Sequence, residues 1–235
     1  MSKATVPRNA VMSKSYAAEL ANLFASNKVL VNVPAGDPKL IHGDTIYLCV
    51  VDKDRNCCSL IQSNYHGFGS QLVPGDLGFA LQNRGNLFAL DADHLNCLAP
   101  GKRPFHTIIP AMVTKDGRPE FVFGVMGGDM QPQGHVQVLM NWIDFGMNIQ
   151  MAGDAARVRH EGSATPTGTP ETQGGGTVFT ESGVPAGTVE KLTSLGHRMF
   201  TGGSYGGYQG ILIDWEKGIL HGATEARKDG AALGY

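Results

Sequence analysis

Between Ile46 and Gln62 the chain carries two apolar runs, Ile46–Val51 and Cys57–Gln62, around a charged centre, Asp52-Lys53-Asp54-Arg55-Asn56. That pattern predicts a β-hairpin with a turn longer than the tight two-residue kind. A polar, turn-prone Gly43-Asp44 delivers the chain into it, so Thr45 stands at the first strand position. Further strands are predicted near Gly78–Leu81, at Thr107–Thr114 and at Glu120–Val125, the last two joined at Lys115-Asp116-Gly117-Arg118-Pro119. Their mixed-face apolar runs suit sheets covered on one or both sides. The period then changes. Val136, Leu139, Met140, Ile143 and Met147 recur at three and four, which predicts an amphipathic helix over Gln131–Phe145, just after Gly127-Gly128.

A second helix is expected at about Asn148–Ala156, ending near Arg157-Val158-Arg159-His160, and a third over Pro185–Leu195, closed by Gly196. Gln209–Asp214 and Gly218–Gly222 read as a terminal hairpin. At the other end, Ser13 caps a helical pattern reaching Phe24, and residues 27–44, with Val33-Pro34-Ala35-Gly36-Asp37-Pro38, read as an extended, exposed connector. Residues 161–176 are Gly/Thr/Pro-rich and read as a flexible loop. A hairpin, strands, helices and again strands make an α+β layered fold.

Composition narrows the function. At 42% apolar residues a core can form, and a formal net charge of −2 without a basic block argues against nucleic-acid or membrane-surface binding. No apolar run approaches the roughly 18 residues that span a bilayer. Met1-Ser2-Lys3-Ala4-Thr5 lacks the apolar centre of a secretion signal, so a cytoplasmic location is expected, any leader lying in an upstream segment. Cys49, Cys57, Cys58 and Cys97 show no zinc spacing and read as buried, reduced thiols. The eight histidines are scattered, and no metal or cofactor fingerprint is present. Gly202-Gly203-Ser204-Tyr205-Gly206 fits a nucleophile elbow, with Asp214 and His221 following in hydrolase order, but that elbow needs a helix after it and a β-type run follows here.

Thr45 offers different chemistry. Once the Asp44–Thr45 bond is cut, Thr45 gains a free α-amine on the residue that carries the hydroxyl. That amine, with an unperturbed pKa of about 7.7–8, can serve as general base with no imported histidine. A strand-opening threonine is ordinary in itself; the weight falls on its surroundings. Thr45 to Asp54, then Ser59-Leu-Ile-Gln-Ser-Asn-Tyr-His-Gly-Phe-Gly69, resemble the start of the small subunit of the gamma-glutamyltransferase family, self-cleaving N-terminal-nucleophile hydrolases. The resemblance continues through Leu81-Gln82-Asn83-Arg84-Gly85, Pro100-Gly101-Lys102-Arg103-Pro104-Phe105-His106-Thr107, Gly127-Gly128 and Asp229-Gly230-Ala231-Ala232.

The resemblance implies an αββα sandwich of stacked antiparallel sheets flanked by helices, here part of the full domain. It implies Thr45 as nucleophile and Asp44–Thr45 as the processing site. Residues 1–44 then resemble the tail of a large subunit and 45–235 the small subunit. Ser63 takes the place of a threonine that hydrogen-bonds the nucleophile's amine, a solvent-facing strand serine being the plain alternative. Gly127-Gly128 takes the place of an oxyanion-binding pair, although a turn needing positive φ explains two glycines as well. Family members carry a long upstream segment, which supplies half the sheets and a substrate-carboxylate arginine. The expectation is a separate large-subunit-like partner or a truncated, non-catalytic chain.

The acyl pocket departs from the gamma-glutamyl pattern. An Asn, a Gln or Glu, and an Asp are replaced by Tyr65, Arg84 and Leu87, and a serine pair by His106-Thr107. Losing a carboxylate at Leu87 removes the counter-charge for a substrate ammonium. Gaining Arg84 adds a fork suited to a carboxylate or an amide oxygen, a structural ion pair being its alternative role. The chain therefore resembles the acylases and amidohydrolases of the family more than its glutathione-degrading members, a true glutathione hydrolase remaining the alternative.

Overall fold

The computed structural model of the chain describes residues 13–22, 43–162, 166–167 and 175–235. A short helix, α1 (Lys14–Asn22), falls inside the predicted one. The predicted hairpin forms as β1 (Gly43–Val51) and β2 (Cys57–His66), an antiparallel pair. Asp52 closes its turn: one carboxylate oxygen accepts from the Asp54 and Asn56 amides at 2.9 and 2.8 Å, and the other accepts from the Asn56 side chain at 2.8 Å.

A four-stranded antiparallel sheet, ordered β3-β4-β8-β9, comprises β3 (Ala111–Lys115), β4 (Arg118–Met126), β8 (Gly207–Asp214) and β9 (Ile219–Thr224). On β4 alternation assigns the faces. Phe121, Phe123 and Val125 point toward two helices, α2 (Met130–Ile143) and α3 (Ile149–Asp154), and form the core with Val138, Ile149, Ala152, Tyr208 and Ala223. Phe121 and Phe123 stack at 4.7 Å, and Trp142 of α2 tilts over Phe121 at 5.0 Å. Gly124 faces the opposite way, and the Tyr47 ring of β1 lies directly on it. The layers are thus hairpin, sheet and helices, an α+β arrangement.

On the hairpin's outer face Ile46, Leu48, Val50 and Leu60 are 42–56% exposed. The two-residue period of β1 and β2 places Cys58 on this face too, so this thiol is exposed, contrary to the expectation of uniformly buried cysteines; Cys49, Cys57 and Cys97 are half-buried, and all four are free.

A third sheet, β5 (Val158–Glu161), β6 (Thr177–Thr180) and β7 (Met199–Thr201), was not foreseen by pattern. Where a helix was expected to run to Ala156, α3 stops at Asp154 and β5 begins at Val158. The outer edge of β5 is held by glutamines one turn apart on α2. Gln137 exchanges bonds of 2.9 Å with the Val158 backbone, and Gln133 does the same with His160 at 2.7 and 3.1 Å. Side-chain amides here stand in for a neighbouring strand. Helix α4 (Ala186–Ser194) and the terminal β8–β9 hairpin follow expectation.

Gly78–Leu81 forms no strand. Gly78 sits at φ 70°, and Phe79 and Leu81 remain 54% and 44% exposed, with only single backbone bonds from this stretch to Ser70 and Leu72. The predicted Thr107–Thr114 strand begins only at Ala111, after Pro110, which has no N–H to give a ladder. Residues 27–42 of the predicted connector and most of the 161–176 loop lie outside the described residues. Gly43 and Asp44, expected to be free of any ladder, instead pair with His66 and Tyr65.

Arg157, Glu181, Glu225 and Arg227 lock the corner where α3, β6 and the chain after β9 meet. Arg157 and Glu225 side chains are 1% and 0% exposed and 3.1 Å apart. Burial lowers the Arg157 guanidinium to about 10 against the pull of Glu225. Arg227 grips Glu181 with two bonds of 2.6 Å.

The Tyr47–Gly124 contact is what seats the hairpin on the sheet. A Cβ at Gly124 would stand 2.5 Å from the Tyr47 ring. Gly124→Ala is expected to destabilise the fold by about 1–3 kcal/mol, as overpacking does. Urea unfolding checks this, and an unchanged midpoint would mean the hairpin is seated by something else.

Candidate active site

One irregularity lies beside the site. Along β1 and β2 the register shifts between Asp44 and Thr45: Asp44 faces Tyr65, Thr45 faces Ser63, and Asn64 is left over as a β-bulge. The bulge lies opposite the Asp44–Thr45 peptide. Just inside it, on the last pair of the regular ladder, the Ser63 hydroxyl meets the Thr45 hydroxyl at 2.8 Å, although the two residues are 18 positions apart in sequence. The chain is continuous through Asp44–Thr45, so this contact is made hydroxyl to hydroxyl, with no free amine on Thr45.

The bulge is held from two sides. The Asn83 N–H donates to the Asn64 carbonyl at 3.1 Å, and the Asn83 side-chain oxygen accepts from the His66 N–H at 3.0 Å. Tyr65, 2% exposed, takes φ 78°, a conformation rare for a bulky L residue. Its ring stacks on His66 at 4.2 Å and lies under the Arg84 guanidinium at 4.7 Å. Strain of this kind, of order 1–3 kcal/mol, persists only where the surroundings impose it, and is commonest at functional sites.

Arg84 begins a single 3-10 turn, Arg84–Leu87, next to the Asn83 clip. It is 7% exposed, and one of its terminal nitrogens donates to Ser63 Oγ at 3.1 Å. The other, Nη1, is buried with no hydrogen-bond partner among the described residues. Burial lowers the guanidinium below the usual arginine range, against the opposing pull of Tyr65 and of Asp129. Asp129 immediately follows Gly127-Gly128 and precedes α2. Thr45, Ser63, Tyr65 and Arg84 therefore form one connected group, with the Gly-Gly turn's acidic neighbour within its electrostatic reach.

Gly127 and Gly128 adopt φ 122° and 62°. A Cβ on Gly127 would stand 2.7 Å from Gly206 Cα. Turn geometry and close packing therefore account for the glycines by themselves. The opening bonds of α2 use their carbonyls, from Met130 N–H at 3.2 Å and Gln131 N–H at 3.0 Å. The first N–H groups of a helix have no intrahelical acceptor, so amides are what this turn has to offer.

Thr45 and Gly127 share the wall of a cavity of about 800 Å³, which runs between β1, the β8–β9 hairpin and the chain's end. Sequence reasoning missed two of its lining residues, Arg159, paired to Glu161 at 2.9 Å and lying over Phe179 at 4.5 Å, and Lys228; Ser204 had been weighed only as an elbow serine. Only the Asp229-Gly230-Ala231-Ala232 motif had signalled that the chain's end mattered. Cys49 also lines the cavity, but burial raises its thiol to about 11, which keeps it protonated and poorly nucleophilic near neutrality. His106 is exposed, and Thr107 is buried with its hydroxyl unpartnered among the described residues; neither makes a hydrogen bond to the Thr45 group. Leu87 is buried.

Ser204 precedes strand β8, not a helix, and Asp214 and His221 pair at the far end of that strand. Eight residues of strand separate them from Ser204, about 25 Å at 3.3 Å per residue, so this triad is not assembled. Among the described residues no group of three or more His, Cys, Asp or Glu side chains stands ready to hold a metal ion.

A gamma-glutamyltranspeptidase family model matches residues 1–235. The chain belongs to the gamma-glutamyltranspeptidase family. It is 37% identical over 248 residues to the glutathione hydrolase-like YwrD proenzyme of Bacillus subtilis, covering 98% of this chain and 42% of that protein. To the oxamate amidohydrolase proenzyme of Klebsiella pneumoniae it is 38% identical over 197 residues, covering 82% and 36%. Cephalosporin acylase from Bacillus halodurans superposes at a TM-score of 0.82 with 39% identity, over 98% of this chain and 40% of that one. Gamma-glutamyltranspeptidase from Pseudomonas nitroreducens, complexed with L-DON, gives 0.68 with 26% identity, over 80% and 98%. These gamma-glutamyltranspeptidase-family structures give the chain the N-terminal-nucleophile hydrolase fold. The chain spans well under half the length of both curated relatives.

Within this gamma-glutamyltranspeptidase-family frame, the Leu81–Gly85 motif gains a physical meaning, because Asn83 clips the bulge that adjoins Ser63. Asn83→Ala removes the acceptor of the His66 amide. That amide is expected to exchange with solvent about tenfold or more faster, while the Leu60 amide in the regular ladder is unchanged. Equal protection in both proteins would show that the bulge does not depend on the clip.

Proposed function

We propose that the chain carries the catalytic part of a self-processing amide hydrolase, with Thr45 as its N-terminal nucleophile once the Asp44–Thr45 bond is cut. The observation that carries this reading is the Thr45–Ser63 hydroxyl contact at 2.8 Å, beside a bulge opposite the bond to be broken and next to a cavity that Thr45 and Gly127 both line. Residues 1–44 are then the tail of a large-subunit-like segment, and 45–235 the small-subunit-like part. A large-subunit-like partner segment would cover the exposed Ile46, Leu48, Val50 and Leu60 face.

In processing, Thr45 Oγ1 bonds to the Asp44 carbonyl carbon and the Asp44–Thr45 C–N bond breaks. The hydroxyl proton passes to the Thr45 nitrogen as it leaves. Water then resolves the ester to an Asp44 carboxylate and a free Thr45 hydroxyl. In turnover the new amine takes the hydroxyl proton, the acyl carbon of an amide substrate bonds to Oγ1 as its C–N bond breaks and the leaving amine takes that proton, and water or an amine then removes the acyl group from Oγ1. The Gly127-Gly128 amides are the proposed oxyanion donors.

Thr45→Ala is expected to leave the chain uncleaved, and Thr45→Ser to cleave, because the hydroxyl survives. Intact mass and N-terminal sequencing decide, and a mature N-terminus other than residue 45 would sink the proposal.

The substrate class follows from charge. Arg84 keeps one buried N–H arm unpartnered, which suits an anionic or amide oxygen, while a substrate ammonium beside it would be repelled. Tyr65, His106 and Thr107 complete the proposed acyl-side set. Small amides with an anionic or neutral acyl part, such as dicarboxylic half-amides, are the preferred class. Oxamate, named for the Klebsiella relative, belongs to it. The second reading, a glutathione hydrolase, is favoured by the name of the Bacillus subtilis relative and by the buried carboxylate of Asp129 near Arg84. Arg84→Gln is expected to lower kcat/KM for oxamate by about 10–100-fold, the range for losing a hydrogen bond to a charged group, and to affect a neutral amide less. Glutathione turned over as fast as the best small amide would overturn the anionic-acyl reading.

A further inference from the structure

Ser63 Oγ has three polar neighbours: Thr45 Oγ1 at 2.8 Å, the Tyr65 N–H at 2.9 Å and Arg84 Nη2 at 3.1 Å. The backbone N–H and the guanidinium can only donate. A serine oxygen has two lone pairs and one hydrogen. With both lone pairs occupied, only the hydrogen remains for Thr45. The Ser63–Thr45 bond therefore has a fixed direction: Ser63 donates and Thr45 accepts.

We propose that Arg84 is a positioning residue for the Thr45 hydroxyl, acting through Ser63 to fix the direction of their hydrogen bond. This rests on Thr45 being the nucleophile. Two consequences follow. The Thr45 hydrogen is turned away from Ser63 and left free to pass to nitrogen, as the self-cleavage balance requires. The Ser63 O–H, polarised by a cation on its oxygen, meets the negative charge that develops on Thr45 Oγ1 during attack. Without Arg84 one Ser63 lone pair is empty, and Ser63 can rotate to accept the Thr45 hydrogen instead. The nucleophile's proton is then held on the wrong side.

The same guanidinium is assigned to the acyl group through Nη1, so the two roles must be separated. Self-cleavage does this, because it needs no acyl donor. The experiment follows cleavage of the full-length polypeptide that contains this chain, by intact mass, from pH 5 to 10. Arg84→Met is expected to slow cleavage by about 10–100-fold and to move the pH–rate profile upward. Arg84→Lys, which keeps a charged donor, is expected to recover most of the rate. Ser63→Ala is expected to slow cleavage as well, and Arg84→Met added to Ser63→Ala to slow it little further, since both act on one bond. Should Arg84→Met fail to fold by circular dichroism, Arg84→Gln, whose amide presents either a donor or an acceptor to Ser63, takes its place in the same comparison. Cleavage at the wild-type rate in the uncharged variant, or slowing by the two substitutions that multiplies, overturns the relay while leaving Thr45 as nucleophile. A wild-type polypeptide that never cleaves at Thr45 sinks both.

Discussion

One surplus residue in a strand pair governs the site. The regular ladder that starts at Val51–Cys57 ends on the Thr45–Ser63 pair, and the side chains of a directly opposed pair stand side by side on one face of a hairpin. With Asn64 bulged out just beyond that pair, Tyr65 falls opposite Asp44 in a left-handed conformation. That conformation aims its N–H back at the Ser63 oxygen, two residues earlier. The aromatic ring, held between His66 and Arg84, keeps it there. The ladder therefore brings two hydroxyls together, and the bulge beside them fills one acceptor site of Ser63. Asn83 and Arg84, adjacent in sequence, serve it differently: the first clips the backbone and the second occupies the hydroxyl.

The rest of the fold keeps this device in place. Tyr47, two residues after Thr45 on the same face of β1, rests on the bare backbone of Gly124, so the hairpin sits close over the sheet. Two residues further along β4, Met126 leads into Gly127-Gly128, which brings that turn to the rim of the cavity Thr45 opens on. The close approach of Gly127 to Gly206 ties this turn to the start of β8. From there Arg157 holds the Tyr205 carbonyl at 2.8 Å and Glu225 at 3.1 Å. Such a buried pair adds little net stability by itself. Its effect here is positional, since it fixes the chain just before the Lys228–Leu233 segment that closes one side of the cavity.

What could be read from sequence was what period and turn chemistry encode. The hairpin, α2 and the terminal β8–β9 hairpin each bury one face and show it as alternation or as a three-and-four spacing. Ser63 could be placed on the strand opposite Thr45 by counting through the turn, but the bulge could not, because Asn64 is an ordinary strand-length polar residue with no local signal. β5, β6 and β7 were missed for a related reason. They are three or four residues long, and β5 is held by Gln133 and Gln137 on a helix, a pairing that leaves no trace in the strand's own sequence. Gly78–Leu81 misled in the opposite direction: its composition is strand-like, but a left-handed glycine and exposed apolar side chains show that no sheet face receives it. The Arg157–Glu225 pair joins residues far apart in the chain and is invisible to any window.

Arg84 shows why a residue's identity and its position have to be read together. From sequence it was a charge gained in an acyl pocket, and its value lay in the substrates it would attract or repel. In the fold it is also a donor to the serine that touches the Thr45 hydroxyl. A neutral amide at this position would be able to turn its oxygen toward Ser63 and leave the direction of the hydroxyl pair undetermined; a guanidinium has no acceptor to turn. Burying that cation is tolerable because the Tyr65 ring, the Ser63 oxygen and the carboxylate of Asp129 all face it. These are the same groups that shape the bulge and lead into α2. Under the proposed function, substrate preference and the geometry of the Thr45 hydroxyl are coupled through a single side chain, and a change of acyl specificity at this position would also reset that hydroxyl.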